Sequence, residues 1–564
     1  MKDLKPMLFS TLKGYTKKQF ISDVISGIIV AIIALPLSIA LALASGVGPE
    51  EGIYTAIIAG FLISFLGGST VQISGPTAAF ATIVAGIVAA NGMSGLALAT
   101  VMAGIILVLM GVCRLGGLIK YIPYTITTGF TAGIAVTILV GQLKDFFGLT
   151  YPEGVAPIET LEKIEIFFGN IGTVNPWAIL IGVISLAILI GWPHMKYVNK
   201  VPGSLAAVLV GILLVELFEI PVNTIGDLYT VSGSLPAPRL PELSLGLARK
   251  VLPDAFTIAI LAAIESLLSC VVADGMTNTK HSSNTELVAQ GVGNIGSALF
   301  GGIPATGAIA RTAANIKSGG RTPVAGMVHA AVLLLVLVLL MPYAALIPMP
   351  VIAAILFVVA YNMCQWRPFV HLVKTAPKSD IFVLILTFVL TVVFDLVVAI
   401  GVGIVIACIL FMKRMGDETS VRSWEYVEQE KDDTANLRPV PRGVRIYEIS
   451  GPLFFGATDR IAEITLKQYT RCLILRMRSV PAIDATAMNA LILLSEKCLT
   501  NGVHVIFSHV NEQPMLAMKR AGLVDKMGED AFAPHIDEAL IRASMLTQDC
   551  ITESNSSDTE SKAD

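Results

Sequence analysis

Two charged residues stand inside long apolar stretches of this sequence, where ionic side chains are costly. Glu265 lies in the run from Ile260 to Leu268, and Arg311 follows a run that begins at Gly302 and is rich in glycine and small residues. A charge at membrane depth costs at least ~2.5 kcal/mol, so such residues usually serve an ion or a substrate. Ser269 lies one helical turn after Glu265, and carboxylate and hydroxyl oxygens suit a hard cation. The pair predicts a sodium site.

Three interpretations of Glu265 stay open on the residues alone. It binds sodium, it carries a proton that is cotransported, or it is a structural partner of backbone groups or of Arg311. Arg311 in turn favours an anion nearby. The alternatives are that its side chain pairs with a structural carboxylate or extends to the membrane surface. Each interpretation requires both side chains to lie near the middle of a membrane domain.

Two apolar segments are interrupted in comparable places of the two halves of the sequence. The first break comprises residues 71–80 (VQISGPTAAF), and the second break comprises residues 302–311 (GIPATGAIAR). Irregular backbone at membrane depth is tolerated only where protein or a watery cavity satisfies its polar groups, and paired broken helices mark the binding sites of transporters. The alternative is that the glycines and prolines merely kink two packed helices.

Composition defines the class of protein. Hydrophobic residues make up 54% of the 564 residues, charged residues only 14%, and the mean hydropathy is +0.75. The net charge of -3 gives no indication of nucleic acid binding, and the seven cysteines show no metal-ligand spacing. No glycine-rich phosphate loop is present, so an ATP-driven pump is not supported. The sequence predicts a membrane domain followed by a more polar one.

About 20 apolar residues cross a bilayer, and on this measure we predict fourteen spans. They lie at 24–45, 52–68, 77–91, 94–113, 123–142, 176–193, 202–219, 249–272, 284–301, 308–318, 321–341, 345–363, 379–394 and 396–412. Lysine and arginine recur in alternate loops, which places both termini in the cytoplasm of a cell whose plasma (inner) membrane holds the protein. A broken third element in each set of seven predicts an inverted repeat.

Inversion would bring the starts of the third and tenth helices together from opposite sides of the membrane. Each helix start carries unpaired N–H groups and about half a positive charge. The gap between them is therefore predicted to bind an anion through backbone amides.

The sequence resembles the SulP family of anion transporters over nearly its whole length. The residues that carry this resemblance are Leu35–Pro36, Gly48–Tyr54, Gly67–Ser69, Ile73–Pro76, Glu265, Arg311–Asn315 and Gly319–Pro323. Within the family the likeness is greatest to sodium-dependent bicarbonate transporters of photosynthetic bacteria.

The resemblance implies an α-helical, UraA-like membrane domain with a seven-plus-seven inverted repeat. Spans 1–4 and 8–11 would form a core that moves, elevator-like, against a gate of spans 5–7 and 12–14. The residues implied for the anion are Thr77, Ala78, Ala79, Gly307, Ala308, Ile309 and Arg311, and those for sodium are Glu265, Ser269, Thr306 and Gly307. Ala310 departs from the serine of many relatives, which puts the choice of anion in question.

The polar C-terminal part alternates strands and helices, which is typical of an α/β domain. We predict strands at 444–449, 471–477 and 503–508. The loop from Val480 to Ala487 resembles that of STAS domains, in which an aspartate precedes a phosphorylatable residue, here Asp484 and Thr486. The alternative for Thr486 is a plain helix cap. A homodimer through this domain is implied by the resemblance.

The predicted domain boundaries are a cytoplasmic segment at 1–23, a transport domain at 24–414, a linker at 415–443, a STAS domain at 444–547 and a disordered tail at 548–564. The expected function is sodium-coupled bicarbonate symport, with no cofactor other than the coupling ion and no enzymatic activity. Alternatives are a proton-coupled transporter of sulfate or another oxyanion, an uncoupled anion channel, and a receptor that signals through its tail.

Overall fold

A computed structural model describes residues 4–152, 157, 159–194, 202–241, 244–394, 396–423 and 440–547. The chain forms two compact units, Met1–Ile404 and Val405–Asp564. The predicted tail at 548–564 lies outside the described residues, as does the part of the predicted linker at 424–439.

The first unit is helical apart from two short strands, β1 (Ser74–Gly75) and β2 (Thr306–Gly307). Its helices are α1 (Met7–Thr11), α2 (Lys17–Ala44), α3 (Pro49–Leu66), α4 (Ala81–Val112), α5 (Tyr124–Gly141), α6 (Leu143–Phe147), α7 (Thr160–Gly169), α8 (Pro176–Gly191), α9 (Gly203–Phe218), α10 (Ile225–Leu228), α11 (Leu245–Thr277), α12 (Ser283–Leu299), α13 (Ile309–Lys317), α14 (Val324–Ala344), α15 (Met349–Cys364), α16 (Trp366–Thr375) and α17 (Lys378–Val393). A last helix, α18 (Leu396–Asp417), runs into the second unit.

Local chemistry sets several helix limits. Thr16 caps α2 by accepting a hydrogen bond from Gln19 N (3.3 Å), while the Gln19 side chain accepts one from Thr16 N (3.0 Å). Asn278 ends α11 in the left-handed conformation. Inside α4, Gly92 adopts φ +67° and ψ −175°, which interrupts the helix between the predicted third and fourth spans.

Each of the fourteen predicted spans corresponds to a helical segment of the structure, two of them joined within α4. Within the described residues, nine helical segments are long and apolar enough to cross a membrane alone. Among the shorter segments is α13, which covers the predicted tenth span. The many helices agree with the predicted helical membrane fold.

The helices pack as two groups that match the predicted core and gate. In one group, α12 packs against α3 and α4, and α14 packs against α2 and α3. In the other, α5 packs against α15 and α17, and α8 packs against α9 and α15. Helix α2 contacts both α9 and α15, so it lies where the groups meet.

The second unit contains a five-stranded sheet. Its strands are β3 (Ser420–Ser423), β4 (Val444–Ser450), β5 (Cys472–Ser479), β6 (His504–Ser508) and β7 (Phe532–Ala533), hydrogen-bonded in this order. Its helices are α19 (Thr458–Ala462), α20 (Ala485–Thr500), α21 (Glu512–Arg520), α22 (Leu523–Met527) and a last helix, α23, over 536–547. Strand β3 is antiparallel to β4 and the other pairs are parallel.

Both faces of this sheet are covered, as expected for parallel strands. Ile449, Leu475 and Phe507 are buried on one face, and Ile474 and Ile506 on the other. The three predicted strands are confirmed. The predicted linker at 415–443 requires a correction, because β3 lies within it and pairs with β4.

Candidate functional site

The two breaks meet as a short antiparallel pair of strands. Strand β1 (Ser74–Gly75) belongs to the first break and β2 (Thr306–Gly307) to the second, with Ser74 opposite Gly307 and Gly75 opposite Thr306. Although they lie about 230 residues apart in sequence, their backbones satisfy each other inside the protein. The predicted meeting of the two breaks is therefore present.

A helix begins immediately after each strand. Ala78–Phe80 form one tight helical turn that leads into α4, and α13 starts at Ile309. The first hydrogen bond of α13 joins Thr312 N to Ala308 O (2.8 Å). The amides of the intervening residues 309–311 therefore precede the helical ladder, as an anion-binding helix start requires.

The predicted anion-lining residues flank this pair of strands. Ala78 and Ala79 are buried and Thr77 is half-buried, whereas Ile309 is 39% exposed. The N–H of Ala308 donates to Ile73 O (2.9 Å), so this amide already has a partner.

Arg311 connects the second break to the first. Its side chain is 2% exposed, and Nη2 donates to the carbonyl oxygen of Pro76, the residue before Thr77. Among the described residues, Nε and Nη1 have no hydrogen-bond partner. Gly75 permits this approach, because a Cβ atom there would lie 2.6 Å from Nη1. Arg311 therefore places a buried positive charge with unused donors beside both helix starts.

Glu265 reaches the same place from α11. Its Oε2 accepts a hydrogen bond from Thr77 Oγ1 (2.9 Å), a contact that the sequence did not predict. Thr306 Oγ1 donates to Ala262 O on the same helix (3.0 Å), and Ser269 Oγ lies 3.4 Å from Thr312 Oγ1. The residues predicted for sodium and for the anion thus adjoin one another.

The oxygens around Glu265 are chemically suited to a hard cation. They comprise one carboxylate, the hydroxyl of Thr77 bonded to it, the hydroxyl of Ser269 one turn along α11, and the hydroxyl of Thr306 bonded to Ala262 O on the same helix. Among the described residues no group of three or more His, Cys, Asp or Glu could hold a metal ion. A cation here would depend on neutral oxygens for most of its coordination.

Glu286 is a buried acid that the sequence analysis missed. It is completely buried near the start of α12, so Glu265 is not the sole deep acid. Its carboxylate accepts from Gly68 N (2.9 Å), Gln72 Nε2 (2.7 Å) and Gln290 Nε2 (2.8 Å). The signal available was Glu286 and Gln290 one turn apart in a segment predicted to span the membrane.

The Glu286 contacts continue into the paired strands. Gln72 Oε1 also accepts from Cys270 Sγ (3.1 Å), and a Cβ atom on Gly307 would lie 2.3 Å from Gln72 Nε2. Gln72 is therefore held by Glu286 and Cys270 and packs closely against Gly307 of β2. Glu286 acts as a positioning group for the pair of strands, through Gln72.

The STAS loop places Asp484 at the start of α20. Its Oδ1 accepts from Ala487 N (2.8 Å) and its Oδ2 from Phe455 N (2.8 Å). Asp484 is therefore the helix cap, and Thr486 is exposed in the first turn rather than capping it.

The class of protein follows from this fold and from comparison with known proteins. The sulfate permease family matches residues 20–387, and the STAS domain matches residues 438–539. The chain belongs to this family, SulP, and is a multi-pass membrane anion transporter rather than an enzyme.

Individual relatives differ in their named substrates. The chain is 40% identical to the putative sulfate transporter YvdB of Bacillus subtilis, over 93% of this chain and 98% of that protein. It is 34% identical to the bicarbonate transporter BicA of Synechocystis sp., over 83% and 84% respectively. The fold matches murine Slc26a9, an anion transporter solved in the inward-facing state, with a TM-score of 0.86 at 19% identity over 96% and 94% of the chains. The expected likeness to bicarbonate transporters is confirmed, but the identity to YvdB is higher, so the expectation that this likeness is the greatest is wrong.

Proposed function

We propose that the protein couples sodium influx to bicarbonate uptake by an elevator-like motion. The observation that carries this proposal is the antiparallel pairing of β1 and β2, which brings two helix starts, Arg311 and Glu265 to one place. The helix starts and the guanidinium attract an anion. The Glu265 carboxylate and its neighbouring hydroxyls attract a cation.

Coupling follows from placing these opposite charges side by side. An anion bound at the helix starts raises the affinity of the adjacent carboxylate site for a cation, and by linkage the cation raises the affinity for the anion to the same degree. Sodium at Glu265 also neutralises the carboxylate that would otherwise repel bicarbonate. Loading both ions therefore leaves less unbalanced charge to move through the membrane.

The packing of the helices supports the elevator-like motion. Both breaks and the helices α11 to α14 belong to the group that includes α2, α3 and α4. The site lies within this one group of helices. The group can therefore carry both ions past the second group, which contains α5, α8, α9, α15 and α17 and is called the α5 group. In this scheme the protein lies in the plasma (inner) membrane with both termini in the cytoplasm, and two copies associate through the STAS domain.

A second function is proton-coupled transport of sulfate or another oxyanion. The relative at 40% identity is named as a putative sulfate transporter, which favours this alternative. Backbone amides can donate hydrogen bonds to any small oxyanion, and Ala310 supplies no hydroxyl that would favour one oxyanion over another. The two functions differ in the anion and in the ion that loads Glu265.

Uptake into liposomes tests both functions. We expect labelled bicarbonate to accumulate only with an inward sodium gradient, and Glu265→Gln to remove that dependence. Asp254→Asn, on the same helix and nearer its start, is the matched control and keeps it. Sodium-independent bicarbonate flux in the unmodified protein would refute coupling, whereas sodium-dependent flux in Glu265→Gln would refute only the residue assignment. Sulfate uptake driven by a proton gradient would establish the second function.

A further inference from the structure

Helix α16 is an amphipathic helix with no buried residue, between two apolar helices. The left-handed conformation of Gln365 (φ 44°) turns the chain out of α15, and α17 begins three residues after α16 ends. Helix α15 belongs to Met349–Thr375, a segment that is long and apolar enough to cross a membrane, and α17 covers the predicted thirteenth span. The position of α16 between two spans places it at the membrane boundary.

Two stripes run along α16. Trp366, Phe369, Val370 and Val373 form an apolar stripe at helical spacing, of which Trp366 (45%), Val370 (39%) and Val373 (37%) are exposed. Arg367, His371 and Lys374 form an exposed basic stripe on an adjacent face. Residues 361–379 contain three lysines or arginines and no acidic residue.

The aromatic residues at the start of α16 fit an interfacial position. Trp366 Nε1 donates to the hydroxyl of Tyr361 (3.1 Å), and the Arg367 guanidinium lies 5.4 Å from the centre of the Trp366 ring. Tryptophan and tyrosine concentrate at membrane–water interfaces, where their rings contact acyl chains and their polar atoms face headgroups. Basic side chains beside such a stripe extend toward the headgroups.

We propose that α16 lies in the membrane surface and binds anionic phospholipid headgroups through Arg367 and Lys374, with Trp366, Val370 and Val373 inserted among the acyl chains. Charge complementarity selects this partner, because the exposed basic stripe has no acidic residue within the segment to neutralise it. Phe369 packs against Phe388 of α17 (5.6 Å between ring centres), and α16 also contacts α5. Lipid binding at α16 therefore anchors the α5 group to the bilayer surface.

Quenching of Trp366 fluorescence by brominated lipids measures this binding in the full-length protein. The other three tryptophans are replaced by phenylalanine. The protein is placed in nanodiscs of phosphatidylcholine with a minority of phosphatidylglycerol. In one sample the phosphatidylglycerol is brominated, and in the other an equal mole fraction of the phosphatidylcholine is brominated instead. We expect stronger quenching by phosphatidylglycerol than by phosphatidylcholine at equal mole fraction. Each basic residue near an anionic surface contributes ~1 kcal/mol, or about fivefold in binding, so Arg367→Gln/Lys374→Gln should reduce the preference about 25-fold.

The matched control removes two charges at the opposite membrane face. The N–H of Met349, at the start of α15, donates to the carbonyl oxygen of Asn223, which lies in the chain before α11. The start of α11 is therefore at the same membrane face as the start of α15, whereas α16 follows the end of α15 at the other face. Arg249→Gln/Lys250→Gln at the start of α11 should leave the preference unchanged. Equal quenching by the two lipids in the unmodified protein would overturn the proposal. Absence of quenching by either lipid would overturn it too, since α16 would then be covered by protein, such as a second copy.

Discussion

Substitution of Gly75 by alanine tests whether the contact between the two breaks sets anion affinity. The added Cβ would lie 2.6 Å from Arg311 Nη1, and ordinary contact begins at 3.4 Å, so the guanidinium must move by about 0.8 Å. Arg311 is also held by the hydrogen bond from its Nη2 to the carbonyl oxygen of Pro76. The movement therefore breaks this hydrogen bond or separates β1 from β2.

The expected magnitude follows from the bond that is lost. A hydrogen bond from a charged group contributes about 1.5–3 kcal/mol, which corresponds to about 10- to 150-fold in a binding constant. Because Pro76 immediately precedes Thr77, loss of this bond also releases the first helix start from α13. We expect the KM for anion uptake to rise by this factor in Gly75→Ala.

The assay is uptake of labelled bicarbonate and sulfate into liposomes across a range of anion concentrations. The matched control is Gly86→Ala in α4, where a Cβ meets nothing within 4 Å, so we expect unchanged KM and equal or slightly higher stability. Thermal unfolding of both variants checks that Gly75→Ala remains folded. A folded Gly75→Ala protein with the KM of the unmodified protein would refute the assignment of Arg311 to the site.

Two further predictions concern the STAS unit. Asp484→Ala should remove about 0.5–2 kcal/mol from helix α20 and speed hydrogen exchange at Ala487, whereas Thr486→Ala should change exchange little; equal effects would contradict the capping assignment. Burial, with a smaller effect from Cys498, raises the pKa of Cys472 from 9.0 to about 12, so iodoacetamide at pH 8 should label exposed Cys113 and leave Cys472 unmodified. The stability linked to the protonated Cys472 thiol is fully present below pH 9 and is lost as the pH rises toward 12, and rapid labelling of Cys472 in the folded protein at pH 8 would contradict its burial.

The sequence predicted the features that depend on local patterns. Glycine and proline located both breaks, and apolar runs located the helices, including the interruption of α4 at Gly92. The three longest strands of the STAS sheet followed from runs of apolar and β-branched residues. Strands β3 and β7 were not predicted, because segments of four and two residues carry too little pattern to be distinguished from loops.

Contacts across the site could not be predicted from such patterns. Thr77 and Glu265 are separated by 188 residues, and nothing in the sequence around either residue indicates that they form a hydrogen bond with each other. Thr77 was predicted for the anion and Glu265 for sodium, on separate grounds. Their direct contact supports the proposed coupling, because a residue proposed for the anion is hydrogen-bonded to a residue proposed for sodium.

Glu286 shows why an apolar pattern conceals some important polar groups. It lies in the first turn of α12, where an acid is ordinarily solvated and stabilises the helix start. Its burial depends on Gly68 and Gln72, which come from the other half of the chain. A carboxylate with these three donors is well satisfied, whereas removal of the carboxylate would leave three buried N–H donors without it. Glu286 thus fixes the first break against the second through Gln72, and the geometry of the proposed anion site depends on a residue outside the proposed substrate path.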